Sequence, residues 1–136
     1  MAVFEKRAVE FIREASRNTY PEEFIALLRK NSKGAVSEVI VVPLSVYGDG
    51  FSSINFSMLP LTSDVCGSVH SHPSPVNWPS RGDLLFFSRI RGIHAIIGYP
   101  YRQEDIAAYD ERGKPLPLEI IDSAERKKKG IKGARK

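Results

Sequence analysis

Apolar residues recur at helical spacing in the first part of the chain. Among the charged residues of segment 4–17, the residues Phe4, Ala8, Phe11, Ile12 and Ala15 stand at helical spacing. This pattern predicts an amphipathic helix that packs on a hydrophobic core. Pro21 ends the helical region, because proline disfavours helical geometry in the residue before it.

The later apolar segments are short and rich in valine and isoleucine, as is typical of strands. The predicted strands are 24–28, 36–43, 51–56, 65–69, 94–99, 106–109 and 116–121. A helical turn is the alternative for the first of them. A second helix is predicted over 80–90, and 110–114 is predicted to be the turn of a hairpin. The pattern indicates a single-domain α/β sandwich with a mixed, mostly antiparallel sheet and two main helices; it does not define the strand order.

Length and composition are those of one soluble globular domain. The chain has 136 residues, of which 42% are hydrophobic and 26% charged, enough for a single core. No apolar run approaches the ~20 residues that cross a bilayer. The charged start Glu5-Lys6-Arg7 is not followed by the apolar stretch of a secretion signal. We therefore expect a cytoplasmic protein without membrane association.

The chain has one cysteine, Cys66. It cannot form a disulfide within the chain, which fits a reducing compartment. A thiol catalyst is possible in principle. However, Cys66 lies in the apolar run 65–69, where a buried, inert sulfur is favoured.

The net charge of +4 comes from the end of the chain. Residues 126–136 contain seven basic residues and no acid, which leaves residues 1–125 with 13 basic and 16 acidic residues and a charge of −3. We therefore predict a domain over 1–123 and a basic, disordered tail over 124–136. The tail also raises the alternative of a nucleic-acid-contacting module. Since no aromatic residue is interleaved to stack on bases, nucleic acid is not an expected partner.

One stretch carries candidate metal chemistry. His70 and His72 are two residues apart at the end of a predicted strand, so both imidazoles point to the same face and can converge on a zinc ion at about 2.0–2.1 Å. Asp83 follows eleven positions after His72, and a loop of that length can bring its carboxylate beside the rings. Two imidazoles and one carboxylate leave a fourth position open, as in catalytic zinc sites.

Each half of this constellation has another interpretation. The histidines could be an exposed pair without a ligand. Ser80 and Asp83 also match a helix capping box, in which the serine hydroxyl caps the first turn and the acid reaches back. The two interpretations of Ser80 are compatible, since a residue at a helix start can project its hydroxyl into a cleft. The joint occurrence of both halves favours the metal site.

These residues resemble the JAMM (MPN-plus) metallopeptidases. The pattern of that family is an upstream glutamate, then His-x-His-Pro, then a serine, two residues and an aspartate. The segment 70–73 reads His-Ser-His-Pro, and Ser80 and Asp83 follow in register. The segment 21–28, which contains Glu23, is similar to the glutamate segment of the archaeal members. The resemblance extends over about residues 4–122 and implies the single-domain, cytidine-deaminase-like MPN fold.

The resemblance implies a role for each matched residue. It assigns one zinc ion per chain to His70, His72 and Asp83, the activation of the attacking water to Glu23, and assistance to the oxyanion to Ser80. The adjacent acid Glu22 is the rival base. On an extended segment the two acids point in opposite directions, so only one can face the metal. The apolar run that follows directly favours Glu23.

The resemblance also implies a substrate. The family cleaves isopeptide bonds between the C-terminus of a ubiquitin-like protein and a lysine amine, and the small archaeal members act on modifiers of the SAMP type. Expected partners are therefore ubiquitin-like modifiers and their lysine conjugates. Processing of a sulfur-carrier-like protein is an alternative activity. Segment 45–53 corresponds to an insertion that pairs with the tail of the modifier in relatives; a plain hairpin turn is equally compatible.

Two further residues near the motif have no assigned role. Trp78 could form one wall of the cleft or anchor the loop that connects the motif residues, and the sequence does not decide between these. His94 begins an apolar strand, where a packed core or edge histidine is favoured over a fourth ligand.

Overall fold

A computed structural model describes residues 1–41 and 65–122. Its elements are β1 (Ala2–Glu5), α1 (Lys6–Thr19), β2 (Ile25–Lys30), β3 (Val36–Val41), β4 (Val65–His72), α2 (Arg81–Arg89), β5 (Ile93–Gly98), β6 (Ile106–Tyr109), β7 (Pro115–Leu116) and β8 (Leu118–Ile121). The predicted α/β fold with two helices and a mixed sheet is confirmed. Neither helix of the described residues has the length and apolar character needed to span a bilayer.

The sheet has the order β7-β6-β5-β4-β2-β3-β1-β8. β1 pairs in parallel with β3 and β8, and β4 pairs in parallel with β5, whereas the other neighbours are antiparallel. The strands β7 and β8 lie at opposite ends of this order, yet only Pro117 separates them in the chain. Since one residue spans only about 3.3–3.6 Å, the sheet must curl until its two edges approach each other.

The two helices cover opposite faces of the sheet. Because successive strand residues alternate between faces, Ala26 and Leu28 of β2 pack with the α1 residues Val9 and Ile12 in the larger core cluster. On the other face, Ile25 packs with the aromatic residues of α2 in a second cluster. His70 and His72 of β4 lie on this second face, since Val69, the residue before His70, belongs to the α1 side.

The N-terminus differs from the prediction. Helix α1 begins at Lys6, and the preceding residues form β1, which pairs in parallel with β8 over the register Ala2↔Leu118 to Glu5↔Ile121. Phe4, predicted as the first apolar residue of the helix, is a fully buried strand residue. β1 has only four residues, and its partner strand β8 lies more than 110 positions away. No periodicity within the sequence therefore reveals it.

The C-terminal hairpin is only partly as predicted. β6 and β7 pair antiparallel around the turn at 110–114, but the predicted strand 116–121 divides into two. Pro117 lies between them, and its carbonyl group accepts a hydrogen bond from the Ala2 N–H at 2.8 Å. Proline has no N–H to donate to a neighbouring strand. The pairing of β7 with β6 therefore ends at Pro117, and the chain continues as β8, which pairs with β1. The predicted segments at 42–43, 45–53 and 51–56 and the tail lie outside the described residues.

His94 is a core histidine, as predicted. Its ring stacks on Phe87 at a centroid distance of 4.2 Å and is fully buried. Nε2–H donates to the carbonyl group of Ile90, so Nδ1 accepts from the Ser68 hydroxyl group at 2.7 Å. Burial lowers the pKa of His94 to about 4, because the imidazolium form would lose its hydration.

The buried neutral His94 should make folding stability dependent on pH. Unfolded His94 has a pKa near 6.5, so the unfolded chain gains a proton as pH falls from 6.5 towards 4 while the folded chain does not. Stability is therefore lost with falling pH in this window, by up to about 3 kcal/mol. Urea denaturation of metal-free wild-type and His94→Gln proteins between pH 7 and 4 should show their stability difference narrowing by that amount. A difference that stays constant with pH would contradict this account.

Candidate metal centre

Three buried ligand atoms converge where β4 ends and α2 begins. Nε2 of His70 lies 3.2 Å from Oδ1 of Asp83, and Nε2 of His72 lies 3.1 Å from Oδ2. The two Nε2 atoms are 3.1 Å apart. All three residues are buried and together form a group that could hold a metal ion. The structure thus brings together the three residues that the sequence predicted as ligands.

Asp83 is placed by the start of its helix. The Asp83 N–H donates to Oγ of Ser80 at 3.1 Å, and the Ser80 N–H donates to Oδ2 of Asp83 at 2.8 Å, which completes a capping box. The same carboxylate therefore caps α2 and faces the imidazoles. A negative charge is also favoured at a helix N-terminus. The capping box offered by the sequence is confirmed, and the carboxylate that forms it also belongs to the group that could hold a metal ion.

The tautomer of His72 is set by the loop that follows β4. Its Nδ1 lies 2.8 Å from the carbonyl oxygen of Val76. A carbonyl oxygen can only accept, so Nδ1 carries the hydrogen. In the neutral ring, Nε2 then presents its lone pair to the other two ligands, as a metal-binding histidine must.

The group of ligand atoms is suited to a cation. Burial alone would raise the pKa of Asp83, but the imidazoles of His70 and His72 and the Ser80 N–H hold it well below its usual range, so the carboxyl group has no proton to donate. Its Oδ1 is buried and makes no hydrogen bond within the described residues. Lone pairs facing a carboxylate at these distances repel one another unless a positive charge lies among them.

The two imidazoles respond differently to their surroundings. Burial lowers the pKa of His70 despite the adjacent carboxylate. Burial also acts to lower the pKa of His72, but the hydrogen bonds to Asp83 and Val76 outweigh it and raise that pKa. Because a metal ion binds only the neutral imidazole, a proton on His72 competes with the metal, and metal affinity should increase with pH.

Glu23 lies across from the ligands on the neighbouring strand. Ile25 is paired with His70, and the hydrogen bond from the Ser71 N–H to Phe24 O at 2.9 Å continues that register, which places Glu23 opposite His72. It shares the α2 face with Ile25, because the two are two positions apart. The pKa of Glu23 is raised, mainly by partial burial. The nearby His72 acts to lower this pKa, and the carboxylate of Asp83 acts to raise it. The rival Glu22 is exposed, and its N–H donates to Thr19 O at 2.9 Å in the turn that follows α1.

The connecting loop has anchors that sequence reasoning missed. Asn77 Nδ2 donates to the carbonyl of Asp105 at 3.1 Å, and the Tyr109 hydroxyl donates to the carbonyl of Asn77 at 2.6 Å. These contacts join residues about 30 positions apart, so no local pattern reveals them. Trp78 has 62% of its surface exposed; Asn77 therefore anchors the loop, and Trp78 does not do so by burial.

Comparisons with known proteins agree with this geometry. The family described as prokaryotic homologs of the JAB domain matches residues 5–111. A protein of Haloferax volcanii described as a probable metalloprotease is 33% identical over 125 residues, which cover 85% of this chain and 77% of that protein.

Solved structures show the same similarity. The crystal structure of a JAB1/MPN domain protein from Archaeoglobus fulgidus is 34% identical with a TM-score of 0.71, and covers 90% of this chain and 100% of its own. A second structure, described as "JAMM: a metalloprotease-like zinc site in the proteasome and signalosome", is 32% identical with a TM-score of 0.69, and covers 90% and 98%. Together with the three converging ligands, these similarities indicate a metal-dependent hydrolase.

The double role of Asp83 can be separated by substitution. Asp83→Asn keeps an oxygen that accepts from the Ser80 N–H but removes the charge and an anionic ligand. We expect the zinc affinity to fall by more than about 100-fold, since even residues that only hydrogen-bond to a metal ligand contribute about 10–100-fold to metal affinity. Ser80→Ala should lower stability by about 1 kcal/mol and leave zinc affinity nearly unchanged. Competition titrations and urea denaturation measure the two effects; equal zinc affinity in Asp83→Asn and wild type would exclude Asp83 as a ligand.

Proposed function

The chain belongs to the JAB-domain, or JAMM/MPN+, family, and from this membership and the geometry of the cluster we propose that it is a zinc-dependent isopeptidase. Its substrate is the bond between the C-terminus of a ubiquitin-like modifier and a lysine amine of a target protein. One zinc ion per chain is held by His70, His72 and Asp83. The relatives named above support the hydrolase class, while the modifier substrate is our proposal.

The observation that carries the proposal is the position of Glu23 opposite His72. Glu23 directly precedes the strand next to the ligand strand and is close enough to His72 and Asp83 to interact with both. Burial raises its pKa, which brings the carboxylate closer to the operating pH of a general base. Glu23 accepts a proton from the attacking water and donates it to the departing amine, so no covalent intermediate is required.

Zinc, when bound, supplies a Lewis acid that polarises the scissile carbonyl group and lowers the pKa of water towards about 7. The protein itself contributes a hydrogen-bond donor for the negative charge that develops in the transition state. Oγ of Ser80 accepts a hydrogen bond from the Asp83 N–H, which leaves its own hydrogen for a developing oxyanion. Ser80 is exposed and lies at the mouth of the cluster. One such donor is typically worth about 2.7–4 kcal/mol in the transition state.

The openness of the site supports a polypeptide substrate. Glu23 and Ser80 are solvent-exposed on two sides of the buried ligands, so a folded partner can present an extended tail to them. The expected pairing of the modifier tail with segment 45–53 lies outside the described residues and remains part of the proposal.

The role of Glu23 can be tested with an isosteric change. Glu23→Gln removes the proton acceptor but no ligand, so zinc binding should be retained while turnover falls by about 10²–10⁴-fold. Glu22→Gln is the matched control and should retain wild-type activity. Cleavage of a lysine-linked modifier is measured alongside zinc content. Full activity of Glu23→Gln would show that another base acts.

The Ser80 hydroxyl group has a separate test. Ser80→Ala should reduce kcat by about 10²–10³-fold with little change in KM, because its hydrogen bond forms only in the transition state. Ser88→Ala, which removes an exposed hydroxyl group bonded to Leu85 O within the same helix, is the control. Equal kcat values for both variants would contradict an oxyanion role.

The substrate class needs a direct assay. We expect chelator-sensitive cleavage of a lysine-linked ubiquitin-like conjugate, restored by added zinc. A linear fusion of the modifier and a sulfur-carrier-like protein serve as comparison substrates. Cleavage of only the comparison substrates would overturn the isopeptidase proposal and retain the hydrolase.

A further inference from the structure

One ligand of the cluster depends on a loop carbonyl group for its orientation. His72 donates from Nδ1–H to Val76 O at 2.8 Å. If this acceptor moved, the neutral ring could carry its hydrogen on Nε2 and present the wrong nitrogen to a metal. The position of Val76 O is therefore a condition for metal binding by His72.

That carbonyl group belongs to the peptide plane between Val76 and Asn77, and Asn77 is held on two sides. The Tyr109 hydroxyl donates to Asn77 O at 2.6 Å, and Asn77 Nδ2 donates to Asp105 O at 3.1 Å. The directions are unambiguous, because both acceptors are carbonyl oxygens. Asn77 O belongs to the next peptide unit, which shares the Cα of Asn77 with the unit that carries Val76 O. Since each unit is planar, holding Asn77 O and the Asn77 side chain fixes the Cα and N of Asn77, where the plane that carries Val76 O ends.

The anchor itself is rigid. Tyr109 is only 6% exposed, and its ring packs with Ile25, Phe86 and Phe87 in the cluster beneath α2. Its strand β6 pairs with β5, which pairs with the ligand strand β4. The hydroxyl group is therefore held at a fixed distance from the strand that carries His72. Even a partly buried hydrogen bond of this kind is costly to leave unmade.

We propose that Tyr109 and Asn77 are positioning residues for the metal centre. Through residue 77 they hold Val76 O where it selects the metal-binding tautomer of His72. Neither residue touches a ligand atom, so their effect is transmitted by the Val76–Asn77 peptide alone. The inference rests on the metal centre of the proposed function.

The test compares two tyrosines that each lose only a hydroxyl group. Tyr109→Phe removes the bond to Asn77 O. Tyr101→Phe is the matched control, because its hydroxyl group is also buried but makes no hydrogen bond within the described residues. In the metal-free protein, at a pH that keeps His72 neutral, ring nitrogen NMR reports the tautomer. Zinc competition titration of both full-length variants reports the dissociation constant.

We expect Tyr109→Phe to shift His72 towards a mixture of tautomers and to raise the zinc dissociation constant by about tenfold. Tyr101→Phe should change neither quantity. Asn77→Ala removes the second anchor independently and should act in the same direction as Tyr109→Phe. A lower melting temperature of Tyr109→Phe with wild-type tautomer and zinc affinity would overturn the inference, since it would show a purely structural hydroxyl group.

Failure of the proposed function gives a different result. If wild type binds zinc and Tyr109→Phe weakens it, but no lysine conjugate is cleaved, the positioning role stands and the isopeptidase proposal falls. If wild type cleaves conjugates and Tyr109→Phe binds zinc with unchanged affinity, the positioning role falls and the isopeptidase proposal stands.

Discussion

Mutual repulsion among buried electron-pair donors is the constraint on which this structure depends. Two imidazole nitrogens and a carboxylate face one another at 3.1–3.2 Å, an arrangement that is unfavourable in an apolar interior unless a cation lies among them. A metal ion bound among the three donors would supply that positive charge. The fold holds the donors together against their repulsion, so the metal site is built before the metal binds.

The ligands come from two layers, so the packing of α2 on the sheet determines the site. At its first turn, α2 is connected to β4 through Asp83, which also completes the capping box with Ser80. At its last turn, the carbonyl group of Ile90 accepts from His94 of β5, and His94 stacks on Phe87 one turn earlier. A helix fastened at both ends cannot slide, which keeps the carboxylate in register with the imidazoles.

The topology explains why catalytic and ligand residues meet at one place. β4 and β5 run parallel, and in α/β sheets the space outside the carboxyl ends of parallel strands is the usual place for a ligand. His72 is the last residue of β4, and the antiparallel β2 starts beside it, which brings Glu23 to the same end. The loop after β4 returns over this end and is fastened to β6 by Asn77. Glu23, the group of His70, His72 and Asp83, and the loop after β4 therefore lie at the same end of these strands.

The sequence by itself determined the helix faces, most strands and the group of His70, His72 and Asp83. These features follow from spacing along the chain, since a period of two or 3.6 residues decides which side chains share a face. Only the tertiary structure decided that β1 exists, that Pro117 divides the last strand, and that Asn77 is bonded to Tyr109 and Asp105. Each of these depends on contacts between distant segments, such as Ala2 with Leu118 or Tyr109 with Asn77. Local pattern carries no information about such pairs, because their energy arises only when the folded chain brings them together.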